Sequence, residues 1–227
     1  MVHYAFLTFD SAGHVYGIIN LADKILQANP DVTGTIYIAC TKSSKWVTTN
    51  VGSNPLHRLR VIKLYVEPDG DDINVPFIYS LEQPDQLAND MVDGIKNNIG
   101  NCSSIGEEGH PVATITDMYG SHWGLLAARK LGVKSYIYMP TPILKWSVLR
   151  LLPQVRDKGL DPQHGTLTIP HYRTLQHAQL PQMGDMIDAL VDQCEQAKYH
   201  DGMLTHDQEE TYSIDYITSL HQFIPKT

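Results

Sequence analysis

Strand and helix patterns alternate along this chain from its first residues, and that alternation constrains the fold more than any other feature. Val2-His3-Tyr4-Ala5-Phe6-Leu7-Thr8-Phe9 is an apolar run of strand character. The small turn Asp10-Ser11-Ala12-Gly13 follows, and then His14. Ile18, Leu21, Ala22, Ile25 and Leu26 recur at helical spacing over residues 14–28. Asn29-Pro30-Asp31 ends that helix, because proline disfavours helical geometry in the residue before it.

The same alternation continues downstream. Thr35 to Cys40 and Leu59 to Tyr65 read as strands, and Leu87, Met91 and Ile95 mark a helix over about 84–98. Val112-Ala113-Thr114-Ile115-Thr116 is a further strand that ends in Asp117. A helix from about 120 to 131 stops near Gly132, which reads as a C-cap. Ser135 to Met139 is the next strand, and a helix follows Pro140-Thr141-Pro142 to Leu152. Residues 153–182 carry several prolines and little periodicity, so they read as irregular. A helix restarts at Ile187, Gly202 to Thr205 is a short strand, and Tyr212, Ile214, Ile217 and Leu220 suggest a last helix. Repeated strand–helix units imply an α/β fold: a single Rossmann-like domain over residues 1–227, its mainly parallel sheet flanked by helices.

Composition excludes several classes. The chain has 17 Lys and Arg against 25 Asp and Glu, a formal net charge of -8, so neither nucleic acid nor an anionic membrane is an expected partner. No run approaches the ~18 apolar residues of a membrane span. The three cysteines, Cys40, Cys102 and Cys194, form no CxxC pair, which argues against a disulfide framework or zinc site and for a reducing compartment. With no secretory leader legible at the start, the expectation is a cytoplasmic protein, and the sequon at Asn101 reads as chance.

Ligands of such folds sit beyond the carboxyl ends of the strands. His14 and Asp117 both fall there, about a hundred residues apart. A neutral imidazole titrates near ~6.5 and can take a proton from a substrate hydroxyl, while a carboxylate on its other nitrogen fixes the tautomer and offsets the charge that develops. The alternative is structural: His14 packing or capping the first helix, and Asp117 capping the next. Asp10-Ser11-Ala12-Gly13 is neither GxGxxG nor a Walker loop, so no dinucleotide or P-loop site is expected. Asp69-Gly70-Asp71-Asp72 reads as a solvated turn, and His164, His171 and His177 are not spaced as ligands, so no metal is assigned. Among the aromatics near strand ends, Trp46 reads as core. Tyr16, Tyr119 and Trp123 are the candidates for lining a pocket around a flat organic ligand.

Taken together, these segments resemble the N-terminal half of the plant-type family 1 UDP-glycosyltransferases, enzymes of GT-B fold. Gly13-His14 followed by Asn20-Leu21-Ala22 is similar to that family's opening, and Pro111 through Asp117-Met118-Tyr119-Gly120 to Ala127-Ala128-Arg129-Lys130-Leu131-Gly132-Val133 to its central strand–Asp–helix segment. Ser135 to Thr141, Ile169-Pro170 through Leu180-Pro181, and Asp201 to Thr205 continue the likeness along the whole chain. The resemblance implies that His14 is the catalytic base, Asp117 its partner, and Thr141 a contact to the donor sugar. It implies the acceptor-binding half of an inverting enzyme acting on small phenolic or other hydroxylated molecules. UDP-sugar would be co-substrate, with no further cofactor. Thr8, Asp10 and Gly17 stand where the family usually has prolines, and one extra residue lies between Asp117 and Pro140-Thr141. The donor-binding C-terminal domain, with its His-Cys-Gly-Trp box, is absent from these residues, so the chain reads either as a truncated piece of such an enzyme or as one member of a split enzyme whose partner chain brings the donor site. Two other readings stay open: a non-catalytic small-molecule-binding protein of the same fold, and a flavodoxin-like protein in which the His and Asp are unrelated.

Overall fold

The structure, a computed structural model, describes residues 2–41, 58–66, 82–99, 110–140, 166–169, 173–176 and 187–205. In chain order the elements are β1 (Val2–Phe9), α1 (Ala12–Ala28), β2 (Val32–Cys40), β3 (Leu59–Tyr65), α2 (Pro84–Ile99) and β4 (Ala113–Asp117). A 3-10 turn, Met118–Gly120, leads into α3 (Ser121–Leu131) and β5 (Lys134–Met139). Then come β6 (Thr166–Ile169), β7 (Arg173–Gln176), α4 (Ile187–Ala197) and β8 (Gly202–Thr205). The helices expected after Thr141 and from Tyr212 lie outside the described residues, as do Thr141 itself, Trp46, the Asp69–Asp72 turn and His164, His171 and His177.

Six strands form one sheet in the order β3-β2-β1-β4-β5-β8, and every pairing is parallel. The expected doubly covered α/β sheet is therefore present. Every residue of β2 is buried, as its Val, Thr, Ile and Ala content requires of a strand covered on both faces. β1 distributes its side chains by the period of two. Phe6 points toward α1, where it packs with Val15, Ile18, Ile36, Ile115 and Tyr138. Leu7 and Phe9 point the other way, into a core built with Leu87 and Met91 of α2 and Trp123 of α3. A third cluster seats α4, through Val191 and Cys194, against Met118, Ile137 and Met139.

One part of the irregular stretch needs correction. Residues 166–169 and 173–176 pair antiparallel, from Thr166 opposite Gln176 to Ile169 opposite Arg173. Each strand is only four residues long, too short for hydrophobic alternation to register in the sequence.

Two local devices fix the helices that carry the site. α1 has no basic residue in its last turn, yet the Arg58 guanidinium donates to Leu26 O (2.7 Å), Asn29 O (2.9 Å), Pro30 O (3.0 Å) and Val32 O (2.9 Å). A cation from the far side of β2 thus occupies the negative end of the helix and satisfies its free carbonyls. α3 ends as expected, with Gly132 at φ 69° and its N–H bonded to Ala128 O and Arg129 O. At its other end α3 lies so close to β4 that a Cβ on Gly124 would collide with Thr116 Oγ1 and sit 2.5 Å from its Cγ2. Gly124→Ala is expected to cost about 1–3 kcal/mol by overpacking. Urea unfolding would measure it, and a loss below ~0.5 kcal/mol would mean that α3 can ride outward freely.

Candidate functional site

The strand order places the site before any side chain is considered. From β1 the chain moves to β2 and β3 on one side, then crosses to β4 on the other. In open α/β sheets the crevice at this switch point, beyond the carboxyl ends of the strands, is where ligands bind. His14 sits in the first turn of α1, directly after β1, and Asp117 is the last residue of β4. The two strands are neighbours, paired from Tyr4 opposite Ala113 to Leu7 opposite Thr116. Residues separated by a hundred positions therefore meet across the switch point.

His14 Nδ1 lies 2.8 Å from Asp117 Oδ1. The distance is that of a charge-assisted hydrogen bond, but the orientation does not complete one, and Nδ1 has no other partner among the described residues. The His14 side chain is 21% exposed while Asp117 is fully buried. Nδ1 is buried, so the exposed part of the ring lies away from Asp117. The ring is held from both sides: Phe9 lies tilted at 4.6 Å between centroids, and Tyr119 makes an edge-on contact at 5.2 Å.

Asp117 does a second job with the same oxygen. Its Oδ1 accepts the Tyr119 N–H at 3.1 Å, capping the 3-10 turn. Asp117 thus caps the 3-10 turn, where the sequence suggested the following helix, and also stands beside His14. His14, by contrast, caps nothing: Ser11 is the N-cap of α1, and it makes no side-chain cap bond.

The other expected residues divide. Tyr119 is at the site, against His14. Tyr16 is 47% exposed on α1, two residues beyond His14. Trp123 is fully buried in the α2–α3 core, so it supports the wall of the site and offers no face to a ligand. Its place follows from α3 starting after the 3-10 turn, which points Trp123 inward with Ala127.

Sequence reasoning missed Phe9 and Tyr138. Both sit at strand ends, where the period of two would have assigned Phe9 to the helix-α2 face and Tyr138 to the α1 face. It also missed a second pair, His122 Nδ1 and Asp192 Oδ2 at 2.6 Å, which ties α3 to α4. Around it Ser121 Oγ donates to Gln193, and His200 Nε2 donates to Ser121 O at 2.8 Å. Cys40 lies near Asp10 at the end of β2. Burial and the Asp10 charge push its thiol up to about 11, so it stays protonated and is no nucleophile. No cluster of three or more metal-ligating side chains exists among the described residues, and no described helix is long and apolar enough to cross a membrane.

No protein-family model matches the sequence, and no curated protein matches it. Solved structures do. A Medicago truncatula UGT complexed with UDP-glucose aligns over 99% of this chain with a TM-score of 0.76 at 17% identity. A Phytolacca americana UGT complexed with UDP-2-fluoro-glucose and pterostilbene aligns over 99% at the same score and identity. A Polygonum tinctorium UDP-glucosyltransferase capable of glucosylating indoxyl aligns over 97%, with a TM-score of 0.76 at 15% identity. This chain has the fold of one half of a UDP-glycosyltransferase. It spans about half the length of those structures, 50%, 53% and 50% in turn. The α/β sheet described above is therefore one Rossmann-like half of the GT-B arrangement, and His14 and Asp117 lie beyond the carboxyl ends of its strands.

Proposed function

We propose that this chain is the acceptor-binding half of an inverting, UDP-sugar-dependent glycosyltransferase that acts on small phenolic or other hydroxylated molecules. The observation that carries the reading is the His14–Asp117 pair at the switch point of a glycosyltransferase-type sheet. His14 Nε2 takes the proton of an acceptor hydroxyl as the oxygen attacks the anomeric carbon, on the face opposite the UDP leaving group. Asp117, buried on Nδ1, fixes the tautomer and offsets the imidazolium charge. Phe9 and Tyr119 stop the ring from turning away. Holding acceptor and donor in line would supply up to ~7–11 kcal/mol of the barrier.

UDP-sugar is the co-substrate, and a donor-binding half brings it. The acceptor meets aromatic surface at Tyr119 and Tyr16, and the resemblance makes Thr141 a contact to the sugar. A cytoplasmic setting fits three cysteines that are widely spaced and form no CxxC pair.

The test is reconstitution. The chain is incubated with UDP-glucose and a panel of phenols, with and without a donor-binding half from a family 1 enzyme. Glucoside formed only with the partner, and lost in His14→Ala, supports the proposal. Phenol binding without turnover under every condition would favour a non-catalytic binding protein of this fold.

A further inference from the structure

Asp117 is fully buried, and only one of its oxygens is used. Oδ1 faces His14 and accepts the Tyr119 N–H, whereas Oδ2 is equally buried and has no hydrogen-bond partner among the described residues. A buried carboxylate oxygen with no partner loses its solvation without compensation, so the pair needs a further donor.

Tyr138 is the group placed to provide it. Asp117 and Tyr138 are register partners on β4 and β5, so their side chains leave the sheet on the same face, side by side. α1 covers that face, and Tyr138 is buried there in the cluster that includes Phe6, Val15 and Ile18. The helix that carries His14 approaches this ring closely. A Cβ on Gly17 would lie 3.4 Å from Tyr138 Cε1 and 3.0 Å from Pro140 Cβ. Burial and the Asp117 charge push the phenol up to about 12, so its O–H remains a donor across the working pH range. Among the described residues, the other groups against Asp117 are His14 from α1 and the Tyr119 backbone from the 3-10 turn.

We propose that Tyr138 is a positioning residue for the His14–Asp117 pair: its hydroxyl, directly or through one ordered water, donates toward Asp117 Oδ2 and holds the buried carboxyl group against His14. The proposal rests on the reading of His14 and Asp117 as a working pair, but its readout does not depend on turnover.

The test follows the His14 ring protons and the Tyr138 Cζ carbon by NMR as a function of pH. In the unmodified chain both signals should report the same carboxylate inflection. In Tyr138→Phe the inflection seen at His14 should move up by about half a pH unit or more, because the carboxylate has lost a donor to its charged form. Tyr136→Phe removes the same group from a position opposite Ile115 and should leave the inflection in place. A Tyr138 signal that stays flat through the inflection, or a His14 profile unchanged in Tyr138→Phe, overturns the proposal. The first measurement needs no variant, so it decides the matter even if Tyr138→Phe fails to fold. Failure of the functional reading looks different: the shared inflection persists while His14→Ala retains turnover.

Discussion

Replacing His14 by alanine is expected to lower turnover in the reconstituted enzyme by about 10³-fold, with little change in the KM for the acceptor. Removing a positioned general base typically costs 10²–10⁴-fold, or roughly 3–5 kcal/mol of transition-state stabilisation. The side chain is partly exposed and in the first turn of α1, so its loss opens no core cavity. Asp117→Asn should cost between 10² and 10⁴-fold, because an amide can present its N–H₂ to Nδ1 and so select the wrong tautomer. Because the same Oδ1 faces both His14 and the Tyr119 N–H, an amide turned with its N–H₂ toward Nδ1 also uncaps the 3-10 turn, so circular dichroism and urea unfolding are measured beside the rates. If the two act as a unit, the double variant should be no worse than His14→Ala alone. Losses that multiply in the double variant would mean that Asp117 acts on something other than His14. Steady-state rates on UDP-glucose and one phenol decide between these outcomes.

Much of this site was legible because its logic is local. Strand, small-residue turn and helix at residues 2–28 place His14 at a strand end, and the run ending in Asp117 does the same. What brought the two together was strand order, which no residue pattern states. β1 and β4 are neighbours only because the chain crosses the sheet between β3 and β4. Arg58 shows the same limit for stability. Its bonds to the end of α1 span separations of 26 to 32 residues, and nothing in the sequence around Arg58 announces them. Trp123 failed for a different reason. A large aromatic just after a candidate site residue suits a pocket wall or a core equally, and only the rotation of α3 on the sheet chooses between them.

Acid should weaken the fold well before its carboxylates are neutralised, through two histidines remote from the chemistry. His3 is buried on β1 with Nδ1 2.9 Å from Thr33 Oγ1, and burial, with a smaller push from Arg60, lowers it from 6.5 to about 4. Burial, reinforced by Arg129, outweighs the Ser121 carbonyl and Asp201 at His200 and also takes it to about 4. Between pH 6.5 and 4 the unfolded chain binds more protons than the folded one, so stability falls as pH falls, and the loss levels off below about 4. At pH 5 each histidine should cost about 2 kcal/mol, on the order of a third of a marginal domain's stability for the two together. Urea unfolding at pH 7.5 and pH 5 would measure the difference. His3→Gln and His200→Gln each remove one titrating ring, so each should flatten the slope by about half, and the double variant should remove most of it. A midpoint that does not change between the two pH values, or a slope unaffected by both substitutions, would assign acid sensitivity elsewhere. Retained stability in the double variant at pH 5 would also let the His14–Asp117 pair be titrated in a fold that no longer unravels beneath it.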